Sequence, residues 1–494
     1  MSTGKKLGFP FVLRCAWTVF GVGFLLAVQT PVQAAPSAYV TNLGSNAVSV
    51  IDTANDTVTA TIPVGNLPYG VAVSPDGSHV YVANECGNSS SCSSTGTVSV
   101  IDTANDTVTA TIPVGSGPHG VAVSPDGSRV YVVNQCPSNS SCSNPPVSVI
   151  DTANDTVTAT IPVGFGPIGV AVSPDGSRVY VTNESSNGTV SVIDTADNQV
   201  TATIPVGTNP IGVAVSPDGS QVYVTNQGGG TNSTVSVIDT ANDTVTATIP
   251  VGTFPTGVAV SPDGSQVYVA NACIGCTNGT VSVIDTANDT VTATIPVGNA
   301  PSGVAVSPDG SQVYVTNQGG GTNSTVSVID TANDSIVTTI TVGADPLSLG
   351  AFVGPGALIA TNSSGSGPEG EQISGTVPAL TNSTGCATSD TVLQEPAHGT
   401  LVFDSGTGAY TYTPSSPTYA GPDVFTWKGT ASSTCTAADN PTASVSNVAT
   451  VTFTLASPAS PGGGGGALGL DSLGVLGAGL FFSRSRRKKR LSPG

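Results

Sequence analysis

The sequence predicts an all-β chain: a seven-bladed β-propeller with four antiparallel strands per blade, its ring closed by N- and C-terminal strands, then a small β-sandwich. Three observations carry this. Val-Ser-Val-Ile-Asp-Thr begins at Val48, Val98, Val147, Val190, Val235, Val281 and Val326, a period of 43 to 50 residues. Ser-Pro-Asp-Gly recurs six times and Tyr-Val-x-Asn seven times. Residues 38–345 show no helical periodicity, and several short β-rich runs at a 40–50-residue period describe a propeller blade.

One unit justifies each strand. Residues 212–215 (Gly-Val-Ala-Val) form the first run, and Ser216-Pro-Asp-Gly219 is a turn with Pro and Gly where a type I turn takes them. Residues 222–226 form the second run and 235–238 the third. Thr240-Ala-Asn-Asp243 turns the chain through side chains that bond their own backbone, and 245–249 complete the blade. Val occupies both faces, as strands sandwiched between neighbouring blades require.

The strand count fixes the ring. Residues 38–64 supply three strands, six full units follow, and 346–353 supply one more first strand, giving 28 strands in seven blades. The last strand is expected to pair with the N-terminal three and remove the open edges.

Tyr-Val-Thr-Asn at 39–42, 180–183, 223–226 and 314–317, with Val-Ser-Val-Ile-Asp-Thr, resembles the YVTN-type propeller repeat of microbial surface-layer proteins. The resemblance covers residues 38–345. It implies a seven-bladed propeller at a cell surface and no single activity.

The remaining organisation follows from composition. Residues 1–35 read as a signal peptide: Lys5, Lys6 and Arg14, an apolar run over 15–28, then small residues to Ala35. The propeller spans 36–362, a Ser/Gly/Pro linker 363–371 and the β-sandwich 372–456. Within the sandwich, Pro396-Ala-His-Gly-Thr-Leu401, Tyr410-Thr-Tyr-Thr-Pro414 and Gly421-Pro-Asp-Val-Phe425 resemble bacterial Ig-like or cadherin-like adhesin modules. Residues 457–466 are a Pro/Ser/Gly spacer. Residues 467–494 pair an apolar stretch with six basic residues, resembling a Gly-Gly type C-terminal sorting signal; a permanent anchor fits the same pattern, so membrane contact there is transient or permanent. The expected location is secreted or cell-surface.

Charge and cysteine usage narrow the partners. The full chain carries −19; without both ends, Arg129, Arg178 and Lys428 stand against 30 acidic residues, for a net −27. Such a surface repels phosphate backbones and excludes nucleic-acid binding by counterion release. In an oxidising compartment, Cys86 with Cys92, Cys136 with Cys142, Cys273 with Cys276, and Cys386 with Cys435 read as disulfides. Cys273 and Cys276 also have zinc-ligand spacing, but no second pair or nearby His accompanies them, so no metal and no cofactor is expected.

Function is sought where the repeats disagree. Variation falls in the connectors between units and in the loops after Tyr-Val-x-Asn, and strand alternation puts both on one face. Tyr69, His119, Phe165 and Phe254 are its distinctive side chains, the candidate recognition residues; neutral drift at permissive loops would produce the same variation. Asp52 and its six counterparts sit on separate hairpins and read as turn residues. No nucleophile elbow or acid/base pair stands out, and the mature chain has only His79, His119 and His398. The expected function is a monomeric binding or adhesion module for a glycan, surface polymer or protein, and not an enzyme. The alternative is a periplasmic or secreted propeller enzyme, lactonase-like or a metal-assisted hydrolase.

Overall fold

The computed structural model describes residues 36–87, 95–135, 146–228, 233–273, 278–319 and 324–354, together with strands and short segments between 363 and 456. Residues 1–35, expected as a signal peptide, residues 467–494, expected as a sorting signal, and Cys92, Cys136, Cys142, Cys276, Cys386 and Cys435 lie outside these residues. Cys86 and Cys273 are each disulfide-bonded.

Seven four-stranded antiparallel sheets form the propeller. The fifth blade is representative: Pro210–Val215, Gln221–Asn226, Thr234–Asp239 and Thr244–Pro250 pair in chain order. Its two middle strands are buried except at their ends, whereas the outer strand alternates exposed and half-buried residues before burying Ile249. The middle strands carry Val at alternate positions with Tyr or Ser between, and the outer strand is Thr-rich. The buried residues of each blade pack on its neighbours; the fully buried Tyr223 sits with Val235, Val258 and Val267.

The two turn types do the work expected of them. In Asp52, Oδ1 accepts the Ala54 N–H at 2.9 Å and Oδ2 accepts from Asn55 at 2.7 Å, and the amide bond recurs in the other six blades. In the Ser-Pro-Asp-Gly turns the Asp bonds the serines on either side, so hydrogen bonding holds Asp175 down to about 2.

Closure is as the strand count requires. Val353–Gly354 pairs with Ser37–Asn42, completing a blade with Ala47–Asp52 and Thr57–Pro63. The preceding residues depart from the expected plain strand. Leu349 and Ala351 offer their carbonyls to the amides of Val71 and Val73 at 3.1 Å, so this segment runs alongside the next blade's inner strand. Gly350 turns there at φ +124, with its α-carbon facing the Val71 carbonyl, a place without room for a Cβ.

The C-terminal part holds a four-stranded sheet (Ser363–Pro368, Ala449–Ala456, Gly421–Ala431, Thr388–Gln394) and a three-stranded one (Ile373–Thr376, Ala409–Pro414, Gly399–Phe403). Residues 363–371, expected as a linker, contain the strand Ser363–Pro368, paired in parallel with Ala449–Ala456. A Ser/Gly-rich stretch shows no side-chain alternation, so its pairing rests on backbone hydrogen bonds that composition does not reveal.

Candidate functional site

Each inner strand begins Pro-x-Gly, and a bulge there decides where x points. In the second blade Pro68 pairs with Asn84 and Val71 with Val82, so one extra residue is inserted on the inner strand. The same shift occurs at Pro118, Pro167, Pro210, Pro255 and Pro301. Bulges re-aim side chains. Here they bring Tyr69, His119, Ile168, Ile211, Thr256 and Ser302, with Leu347 of the closing segment, around one axial cavity of about 190 Å³. The following glycine lets the blades approach: a Cβ on Gly70 would lie 2.1 Å from the His119 carbonyl, and one on Gly212 2.3 Å from that of Thr256.

Threonines of the Tyr-Val-Thr-Asn strands hold several of these backbones. Thr41 donates to the Tyr69 carbonyl at 2.9 Å, Thr182 to Ile211 at 2.8 Å and Thr225 to Thr256 at 2.7 Å. Where the repeat has Ala270 instead, the Thr256 hydroxyl donates to the Ser302 carbonyl at 2.9 Å. The Ser302 hydroxyl is committed in turn, to Thr316 at 2.9 Å and the Leu347 carbonyl at 3.0 Å.

His119 has no such threonine behind it, since Ala83 occupies the matching position of the preceding blade. It is instead stacked on Tyr69, with ring centroids 4.3 Å apart and planes 12° from parallel. Only 9% of His119 is exposed, and burial lowers its imidazole to about 4, so it is uncharged at neutral pH. Burial raises the Tyr69 phenol, and the charge of Glu85 adds to this. Glu85 and Glu184, each just after its Tyr-Val-x-Asn strand, are also raised by burial. The Glu85 N–H bonds the Leu67 carbonyl at 3.0 Å, which ties it to the connector leading into Tyr69.

The four candidate recognition residues therefore separate. Tyr69 and His119 meet in the axial mouth. Phe165 stands 70% exposed on its connector, and Phe254 is half-buried in a left-handed conformation, φ +53, that Gly117 and Gly166 adopt in other blades. Connector and loop share one face, because the Asn66 N–H bonds the Gly87 carbonyl and the Cys86 N–H bonds the Asn66 carbonyl. Sequence reasoning passed over Ile168, Ile211, Leu347 and the two glutamates. Their signal was positional: one varying residue after each connector proline, and one after each Tyr-Val-x-Asn. Below the mouth runs an axial channel of about 390 Å³ lined by Gly, Ala and Val of the inner strands, meeting the mouth at Ile211 and Leu349. Among the described residues no group of three or more His, Cys, Asp or Glu side chains is placed to hold a metal.

Comparison with known proteins finds similarities to enzymes. Residues 149–278 match the model of a lactonase family with a seven-bladed β-propeller. A 37-residue stretch is 68% identical to the PE-PGRS family protein PE_PGRS18 of Mycobacterium tuberculosis; it covers 8% of this chain, and the chain spans 8% of that protein. Among solved structures, a chain of Kuenenia stuttgartiensis hydrazine synthase is 25% identical, with a TM-score of 0.52, over 63% of this chain and 99% of that one. A functionally unknown protein from Desulfotomaculum acetoxidans is similar in fold at 18% identity and a TM-score of 0.50, over 63% and 97%. These findings correct the expectation that the chain is not an enzyme: the lactonase match and the likeness to a hydrazine synthase chain point towards enzymatic function. The expectation rested on the lack of a catalytic motif and of visibly converging acidic or His residues. In a propeller the mouth residues come one per blade, about 45 residues apart.

Proposed function

We propose that the chain is a lactone hydrolase working in the axial mouth, with His119 as its proton acceptor. The observation that carries this reading is the lactonase match over residues 149–278, four of whose residues, Ile168, Ile211, Thr256 and Ala272, line the mouth beside His119. His119 itself lies outside the matched stretch, so its role rests on its place in the cavity. The uncharged imidazole takes a proton from water as the hydroxide attacks the lactone carbonyl. The ring C–O bond then breaks, and the imidazolium returns the proton to the leaving alkoxide, giving a hydroxy acid. A conjugate acid near 4 makes the imidazole a weak base for the first transfer and its imidazolium a strong donor for the second. Turnover of γ- and δ-lactones by the purified chain, reduced roughly 10²- to 10⁴-fold in His119→Gln, is the expected result. An inactive wild type on both ring sizes, or a His119→Gln variant as fast as wild type, overturns it.

A binding role at the rim is a second reading, favoured by the exposure of Phe165. On that reading the chain is exported and Phe165 contacts a glycan, surface polymer or protein; a Phe165→Ala variant should bind intact cells more weakly.

A further inference from the structure

We infer that the axial mouth selects uncharged lactones bearing an apolar substituent and rejects anionic ones. This rests on the hydrolase reading for the word lactone, and on the mouth's own side chains for the rest. Ile168, Ile211, Leu347 and Leu349 face the cavity as hydrocarbon. Two of the hydroxyls there are already donated, that of Thr256 to the Ser302 carbonyl and that of Ser302 to the backbone of the closing segment, which leaves the Tyr69 phenol, the Gln318 amide and the neutral imidazole as the polar groups of the lining. A phosphate or carboxylate therefore finds no unspent hydroxyl donor in Thr256 or Ser302, and the buried His119 carries no charge to offer it.

The cations are at the wrong end. Within residues 36–354 the Lys and Arg side chains are Arg129 and Arg178 alone. Each starts the second strand of its blade, just after a Ser-Pro-Asp-Gly turn, whereas the mouth lies where those strands end at Asn134 and Asn183. Both are also engaged, Arg129 with the Thr195 carbonyl at 2.8 Å and Arg178 with Asp243 at 3.2 Å. What stands near the mouth is Glu85, anchored beside the connector to Tyr69. An anion entering there would lose its hydration and meet a carboxyl group, with neutral donors but no cation to offset the cost. An alkyl group meets aromatic and aliphatic surface, and at Ile211 and Leu349 the cavity opens into the channel below, which leaves room for a longer substituent.

The test uses the mature chain on γ-butyrolactone, γ-hexalactone, γ-decalactone and a phosphorylated sugar δ-lactone. Each added methylene is expected to raise kcat/KM by about fourfold until the cavity is filled. The phosphorylated lactone should be the poorest substrate. Binding of 2-hexyloxolane, which cannot be hydrolysed, is measured alongside by calorimetry. Ile211→Arg should weaken that binding and improve use of the phosphorylated lactone, and Ile211→Ala, which only enlarges the cavity, should favour the longer substituent. Hydrolysis with no dependence on substituent, or a preference for the anionic lactone, overturns the inference and leaves the hydrolase reading standing. Binding of 2-hexyloxolane that is lost in Ile211→Arg, with no lactone hydrolysed, upholds the apolar selectivity and sinks the hydrolase reading.

Discussion

The hydroxyl of Thr182 donates to the Ile211 carbonyl of the next blade at 2.8 Å while accepting the Gly169 N–H of its own blade at 2.8 Å. One side chain thus fixes both sides of an inter-blade seam at the level of the mouth. Thr225 makes the same pair of bonds, to Thr256 and Gly212.

Removing that hydroxyl leaves a buried N–H without its partner. Thr182→Val keeps the volume and should cost about 1–3 kcal/mol, read as a lower denaturation midpoint with an unchanged slope. The effect should spread to function, because Ile211 lines the mouth. The contrasting position is Ala270, where the repeat never had the hydroxyl and Thr256 bonds Ser302 instead. Ala270→Val should therefore show no loss of this hydrogen-bond origin, only the strain of a larger side chain at a fully buried site. Equal losses of midpoint from packing-neutral Thr182→Val and from a surface control such as Thr246→Val would remove the argument.

The imidazole of His119 makes stability depend on pH over a definite window. Its folded value, about 4, lies below the ordinary 6.5, so between these values the unfolded chain holds a proton that the folded chain does not. Its contribution is present in full above 6.5 and lost as pH falls towards 4. The size is on the order of 3 kcal/mol. Glu85 and Glu184 are shifted upward and act in the opposite sense, stabilising at low pH and losing that contribution as pH rises through their folded values. The difference between wild type and His119→Gln cancels them. Denaturation at a series of pH values should show the wild type losing ground to the variant between 6.5 and 4, and parallel curves over that window would contradict the burial of a neutral imidazole.

The blades were legible because their grammar is local. Ser74-Pro-Asp-Gly77 and Asp52 fold their turns with their own side chains, and the buried strand at Tyr39 reads as a recurring Tyr-Val-Thr-Asn run. The mouth was legible only in part. Tyr69 and His119 drew notice as unusual residue types, but their 4.3 Å stack depends on a bulge in each of two strands, 50 residues apart. Glu85 was not singled out, and its half-buried place beside the connector at Leu67 comes from a contact between loops that the sequence does not announce. The closing segment was placed correctly as a seventh inner strand, yet the contact of Leu349 with Val71 was hidden, because it joins parallel neighbours that no hairpin pattern announces.

That closing segment is the seam most exposed to a single substitution. Phe352 is fully buried, its carbonyl accepts the Tyr39 N–H at 2.8 Å, and it packs in one cluster with Tyr39, Val40 and Val71. Phe352→Ala removes a large side chain where two distant parts of the chain meet, and should cost about 3–5 kcal/mol. The damage should have a pattern as well as a size. The amides of Val71 and Val73 bond Leu349 and Ala351, so they should be the first in the ring to lose hydrogen-exchange protection. Ile238→Ala, at a fully buried site in the fifth blade, serves as the comparison, since it weakens the ring without touching the seam. If both variants expose Val71 and Val73 to the same degree, closure is not a separate weak point and the ring opens as one unit. If Phe352→Ala exposes them selectively, the ring is fastened at the segment that also places Leu347 and Leu349 in the mouth, and loss of closure and loss of the site are one event.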